Sequence, residues 1–293
     1  MFDQYRKEQY KIYNHARKYF IQNNKKLIEV EKYCMEILSD FIVRNHTDIM
    51  TDYNEASFLY PFWQNYPPEE RGRMPKGDQF PWIEVGEHIL CPKLSRFLFK
   101  IFCIRDSGLP TGPDDRYVIS NKKINKILEI TDSVWLFVDI KSVGPRDDQD
   151  HTVMSHNQIS GNGKWEKVEL GVKNDIMLAK GRRATHSFHC AIPPLFILSD
   201  KTIAPVVHIV LKPVYKMLGL THEGKGQPLD RLTLVSIPNG ILLTENPNYL
   251  ESFPGLLFPG KDDKEKDPRK VRARVSFEKL RQIAEWRYKD FAF

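Results

Sequence analysis

The sequence predicts a mixed helix-and-sheet fold, α/β or α+β, and three observations carry that expectation. The first fifty residues repeat apolar side chains at helical spacing, the middle of the chain is a series of β-branched runs, and the last residues return to a helical pattern. Helices, strands and a final helix succeed one another with no regular strand–helix alternation, which predicts a central mixed sheet flanked by helices. No repeat or linker-like stretch interrupts the 293 residues, so a single domain is expected over 1–293.

Each element has its own signal. In EVEKYCMEILSDFIV, Val30, Tyr33, Ile37, Leu38 and Phe41 share one helical stripe. YPFWQNYPPEERGRMPKGDQFPW is dense in Pro, Gly and aromatics and is expected to be an ordered, irregular loop. A helix should follow from about Trp82 to Phe102, interrupted near Pro92. DRYVIS, ILEITDSVWLFVDIKSVG, PPLFILSD and TIAPVVHIVLKPVY read as extended. RLTLVSIPNGILLTEN reads as a hairpin turning at Asn239-Gly240. SFEKLRQIAEWRYKDF reads as a helix capped by Ser276, with Phe277, Leu280 and Ile283 facing inward.

Composition narrows the class. With 41% apolar, 28% charged and 12% aromatic residues, the chain is ordinary for a soluble globular protein. No apolar run reaches the length of a membrane span and MFDQYRKEQYK carries no signal-peptide core, so a cytoplasmic protein without membrane partners is expected. Cys34, Cys91, Cys103 and Cys190 form no C-x-x-C and are read as free thiols. His186, His189 and Cys190 in HSFHC have metal-like spacing but no second ligand pair, so a packed strand or loop is the better reading. The formal charge of +6 permits a polyanionic partner without requiring one.

The chemistry concentrates in SVWLFVDIKSVGPRDD, residues 133–148. Val134 to Val138 reads as a strand buried on both faces, yet Asp139 and Lys141 continue the same run. Residues two apart on a strand share a face, so both charges project from the side that carries Trp135 and Phe137. A buried charge needs a partner or a task. Upstream, GLPTGPDDRYV places Asp114 after a proline, with 24 residues between it and Asp139. Two carboxylates converging from neighbouring strands offer hard oxygen ligands suited to Mg²⁺, and a lysine on the same face can orient a water and offset phosphate charge. The competing reading is an Asp139–Lys141 ion pair at a strand end with Asp114 capping a turn.

Longer blocks set that motif in context: DYNEASFLYPFWQNYPPEERGRMPKGDQFPWIEVGE, GLPTGPDDRY, FVDIKSVGPRD, NQISGNGKW, IPPLFILSDKTIAPVVHIVLKP, VSIPNG and PGKDD. In these blocks, over residues 52–263 with gaps, the sequence closely resembles the BglI-type type II restriction endonucleases of the PD-(D/E)xK superfamily. The first fifty residues and the final helix match poorly. The resemblance implies the α/β restriction-endonuclease fold, with a helical part at about 1–50, a catalytic core at about 52–217 and a DNA-reading part at about 230–293. It implies a homodimer that cuts double-stranded DNA at GCC, five unspecified base pairs, then GGC, paired in function with a DNA methyltransferase. Asp114 and Asp139 look like metal-binding carboxylates, the carbonyl of Ile140 a further ligand, and Lys141 the catalytic lysine, with Mg²⁺ as cofactor, two per active site.

A base-reading set is also implied: Asp147, Lys261, Asp263, Arg272 and Arg274. The residue types fit a G·C target, because Arg and Lys donate to guanine O6 and N7 while Asp accepts from cytosine N4. From Lys261 to Arg274 there are seven basic and four acidic residues, and the spacing of Arg272 and Arg274 between Val271 and Val275 predicts a strand presenting both arginines on one face. The competing reading of that segment is a solvated charge run. Glu84 and Glu87 are expected on a helix surface, with a place at the active site as the alternative. Arg71, Arg73 and Lys76 are candidate phosphate contacts. SGNGKW lacks the context of a phosphate loop, and His151 and His156 have no assigned role. Two other functions use the same residues: a superfamily nuclease acting in repair or junction cleavage, and a DNA-binding protein without catalysis.

Overall fold

The computed structural model describes residues 2–58, 85–106, 108–109, 112–143, 149–173, 177–180, 185–216, 229–260 and 271–293. Three helices open the chain: α1 (Phe2–Gln22), α2 (Asn24–Arg44) and α3 (His46–Phe58). The stripe on α2 is core. Val30, Tyr33, Leu38 and Phe41 are buried, and Ile37 is half-buried against them. Burying four large side chains stabilises the fold by roughly 1.5–3 kcal/mol each, so this face is spent within the chain.

Helix α4 (Val85–Leu98) runs through Pro92 instead of breaking there, burying Leu90, Leu94 and Leu98 around it. A proline removes one intrahelical hydrogen bond, and the buried leucines on both sides hold the helix across the gap. Strands β1 (Cys103–Asp106) and β2 (Asp115–Ser120) follow, then α5 (Lys122–Leu128), capped by Asn121. Helix α5 corrects the expectation that ILEIT is extended: the segment begins inside a helix, and the strand β3 (Ser133–Ile140) starts only after it. Then come β4 (His151–Met154), β5 (Met177–Lys180), β6 (Thr185–Phe188), β7 (Leu195–Ile197), β8 (Ile203–Tyr215) and β9 (Leu229–Ile237).

The predicted hairpin at Asn239-Gly240 is not formed. Gly240–Thr244 is a short helix, α6, and Asn239 is its cap, accepting from the Ile241 amide. The Asn239 amide also donates to the carbonyls of Pro194 and Val206, tying the helix start to the sheet. Asn-Gly signals a tight turn, but Asn also caps helices, and the apolar run Ile241–Leu243 buried behind it decides for the helix. After α7 (Tyr249–Ser252), β10 (Leu257–Pro259) and β11 (Ala273–Ser276), Ser276 caps α8 as predicted, its hydroxyl accepting from the Lys279 amide. Helix α8 spans only Phe277–Ile283. Tyr288–Ala292 is a strand, β12, which pairs antiparallel with β9 and closes one edge of the sheet.

The main sheet has the order β1-β2-β3-β8-β9-β12, with β7 also on β8. Only β3 and β8 run parallel within it, so the sheet is mixed. All thirteen residues of β8 are buried, as a central strand covered on both faces requires. A second sheet, β10-β11-β4, stands beside the first, and the Lys212 ammonium on β8 donates to the His151 carbonyl on β4. HSFHC lies on and just after β6, with Cys190 buried.

Candidate active site

The site forms where two neighbours of β3 end at different places. Strand β2 pairs with β3 only from Asp115, opposite Val138, so one edge of β3 is open beyond that point. Strand β8 continues on the other side, with Lys141 N–H donating to the Leu211 carbonyl and Val143 bridging Val214. The Asp114 carboxylate fills the vacated edge and accepts from the Ile140 amide at 2.6 Å. In an extended strand the N–H and C=O of one residue face the same edge, so the Ile140 carbonyl faces the Asp114 side as well.

Side-chain alternation along β3 is as the sequence predicts. Trp135 and Phe137 join Val118, Ile192, Ala204 and Val206 in one apolar cluster, while Val134, Leu136, Val138 and Ile140 enter the main core. Asp139 follows on the Trp135 face and is only 2% exposed. Its buried Oδ2 lies 2.8 Å from Lys141 Nζ, and among the described residues it has no other partner. Burial raises the Asp139 carboxyl from 3.8 to about 6; the Lys141 charge opposes this, and the Asp114 and Glu87 charges add to it.

Glu87 is thus more than helix surface. Gly86 lets the start of α4 close on the end of β3: a Cβ at position 86 would lie 2.6 Å from Ser142 Oγ and 3.1 Å from Ile140 Cγ2. That approach brings the Glu87 carboxylate near enough for its charge to act on Asp139. The signal lay in VGE, where glycine precedes the acid in a helix. The charges of Asp114 and Glu87 therefore add to that of Asp139, against the single ammonium of Lys141. Among the described residues no three His, Cys, Asp or Glu side chains form a ready-made cage. Two carboxylates, a main-chain carbonyl and waters are nonetheless the kind of partial oxygen shell Mg²⁺ accepts, so the residues fit that ion.

Gln158 escaped the sequence reading. It lies in NQISGNGKW, past β4, and its Nε2 donates to Asp139 Oδ1 at 2.6 Å. The glycines of that segment serve packing. The Gly163 carbonyl accepts from the Tyr13 hydroxyl, and Gly240 seats directly over the Gly161 carbonyl, where a Cβ would clash at 1.8 Å. His151 is buried beside Asp150, and His156 is exposed.

The predicted readers divide. Arg272 is exposed just before β11, and Arg274 is half-buried on it, opposite Val153 of β4 and Phe258 of β10. Val271, Ala273 and Val275 are buried on the other face, so the two arginines share a side as expected. Asp147, Lys261 and Asp263 lie outside the described residues, as do Arg71, Arg73, Lys76 and Glu84.

A mixed sheet with Asp139 and Lys141 at the end of a central strand, and Asp114 just before the strand beside it, is the arrangement expected of a restriction-endonuclease fold. The crystal structure of the tetrameric restriction endonuclease SfiI bound to cognate DNA shares this fold, with a TM-score of 0.61 at 13% identity over 92% of this chain and 85% of that one. The family described as restriction endonuclease BglI matches residues 8–291. The type II restriction enzyme BglI of Bacillus subtilis is 45% identical over 97% of this chain and 96% of its own. The crystal structure of BglI bound to its DNA recognition sequence superposes with a TM-score of 0.91 at 44% identity, covering 100% of this chain and 99% of that one. The chain belongs to the BglI family of restriction endonucleases, a class of site-specific deoxyribonucleases. Likeness over almost the whole chain includes the first fifty residues, where the sequence reading found little. Among the described residues no helix is long and apolar enough to cross a membrane.

Proposed function

We propose that the protein is a cytoplasmic, Mg²⁺-dependent type II restriction endonuclease that cuts both strands of DNA at an interrupted palindrome resembling GCCNNNNNGGC. The observation that carries this reading is the convergence of Asp114, Asp139 and Lys141 at the open edge of β3. Asp114, Asp139 and the Ile140 carbonyl would hold the cation, two ions per site. When bound, Mg²⁺ would supply positive charge at the scissile phosphate and acidify a water. Asp139 has Oδ1 held by Gln158 and Oδ2 paired, among the described residues, only with the partly exposed Lys141, the side the cation would take. The Lys141 ammonium, 27% exposed, can reach past Asp139 to orient the attacking water and offset charge on the phosphate as the P–O bond breaks.

In this reading the chain acts as one domain, helical at about 1–50, catalytic at about 52–217 and DNA-reading at about 230–293. Asp147, Lys261, Asp263, Arg272 and Arg274 read the G·C pairs, a role supported for the two arginines by their shared face. One catalytic set cuts one strand, so a double-strand cut at a palindrome calls for a C₂ homodimer. A methyltransferase of the same specificity would protect the host's own sites.

The test is a supercoiled plasmid carrying one such site, incubated with Mg²⁺, with the fragment ends sequenced. The expected result is a single double-strand cut within the site, lost when the spacer is lengthened or shortened by one base pair. Nicking that follows DNA structure rather than sequence supports a repair or junction nuclease instead. Asp139→Asn and Lys141→Ala should each slow cutting at least about a thousandfold, a loss of roughly 4 kcal/mol in transition-state stabilisation, and near-normal cutting by either would overturn the site assignment.

A further inference from the structure

We infer that Gln158 is a positioning residue for Asp139, fixing the carboxylate that the proposed function gives to the metal; the inference rests on that assignment. The Gln158 side chain is held at both ends. Its Oε1 accepts from the Ser155 amide at 2.9 Å, while its Nε2 donates to Asp139 Oδ1 at 2.6 Å. An amide has one acceptor and one donor end. Because a main-chain N–H occupies one side and a carboxylate the other, only this orientation satisfies both partners.

The support beneath Gln158 is rigid. The Gln158 amide itself donates to the Ser155 carbonyl, closing a turn, and the neighbouring His156 carbonyl accepts from Ala191. Ile159 and Ser160 are fully buried, and Ser160 Oγ accepts from the Gly240 amide. Upstream, the turn continues directly from β4, which Lys212 ties to the main sheet and which pairs with the arginine strand β11. Gln158 thus holds one oxygen of Asp139, Lys141 stands over the other, and the free direction of that second oxygen is set. Partners that orient a metal-binding carboxylate typically change metal affinity or activity about 10- to 100-fold when lost.

Two substitutions separate positioning from loop support. Gln158→Met removes both contacts at similar length, whereas Gln158→Glu keeps an acceptor for Ser155 and removes the donor to Asp139. Calorimetric titration of Ca²⁺ into the dimer bound to a duplex carrying GCC-N5-GGC reads metal binding without turnover. For Gln158→Met, Ca²⁺ affinity should fall about tenfold and kcat in Mg²⁺ about 10- to 100-fold, with KM for DNA within about twofold of the parent. Gln158→Glu should lose at least as much kcat, its added carboxylate facing Asp139 Oδ1 where the donor stood. Parent-like kcat in Gln158→Glu, with a fallen melting temperature in Gln158→Met, would assign Gln158 to the loop and overturn the inference. Parent-like Ca²⁺ affinity and kcat in both would also overturn it, leaving the metal assignment standing if Asp139→Asn abolishes Ca²⁺ binding. Undiminished Ca²⁺ binding by Asp139→Asn would sink the assignment and the inference together.

Discussion

Two ion pairs sit in this molecule with almost equal geometry and opposite consequences. Glu31 on α2 meets Arg287, just before β12, at 2.7 Å, and both side chains are at most 1% exposed. Asp139 meets Lys141 at 2.8 Å, with Asp139 as deeply buried. The first pair is tied into the fold on both sides, although Arg287 Nε is itself buried without a hydrogen-bond partner among the described residues. Glu31 also accepts from the Asn239 amide at 2.6 Å, and Arg287 donates to Ser236 and lies over the rings of Trp286 and Tyr249. The second pair is open: a lysine partly in solvent is the sole partner of Asp139 Oδ2 among the described residues, and the charges of Asp114 and Glu87 also act on Asp139. An ion pair whose two partners make further buried contacts joins elements of the fold. One that meets further negative charge beside a partly exposed lysine is the arrangement the proposed cation would use.

Glu31→Gln leaves the fully buried Arg287 charge unpaired and should destabilise the protein by about 3–5 kcal/mol, read as a lowered denaturation midpoint at constant slope. A loss under about 1 kcal/mol would show the pair to be dispensable. Burial raises both carboxyls, Glu31 against the pull of Arg287 and Asp139 against that of Lys141. Asp139 has a folded pKa of about 6, above its ordinary 3.8, so the folded state holds the proton more firmly. The associated stability is fully present below about pH 4 and is lost as pH rises through 6, by up to about 3 kcal/mol. Metal-free Asp139→Asn should therefore resist denaturant better than the parent at pH 7–8, and the gain should vanish near pH 4. A destabilised Asp139→Asn at pH 8 would mean that Asp139 serves the fold as Glu31 does.

Arg272, exposed, and Arg274, half-buried with its guanidinium packed against Gly260, extend the contrast to the arginine strand. Arg272→Ala or Arg274→Ala should each cost roughly 1–3 kcal/mol on the cognate site if it makes a bidentate guanine contact, with much less change on unrelated DNA. Equal weakening on all sequences, with a shallower salt dependence, would make them phosphate contacts.

Much of this was legible in the sequence because it depends on local alternation. The run Val134–Val138 announces a central strand, and the two-residue spacing of Trp135, Phe137 and Asp139 puts the acid on one face. Asp114 was legible as a residue type, but its role at the edge of β3 depends on where β2 stops pairing. Two of the misread segments turn on tertiary context. Asn239-Gly240 serves a hairpin or a helix cap equally well until the sheet supplies carbonyls at Pro194 and Val206 for the Asn239 amide. The pattern of 276–291 holds helical for seven residues, then Tyr288 and Phe291 find the open edge of β9. Gln158 carries no charge and no motif; only folding across the sheet brings it to Asp139.

The most direct measurement is a co-crystal of the protein with an uncleaved GCC-N5-GGC duplex and Ca²⁺. The account predicts an ion about 2.3–2.6 Å from carboxylate oxygens of Asp114 and Asp139 and from the Ile140 carbonyl, with Lys141 drawn off Asp139 toward the scissile phosphate. A Lys141 still closed on Asp139, with the ion bound elsewhere or absent at saturating Ca²⁺, would contradict it.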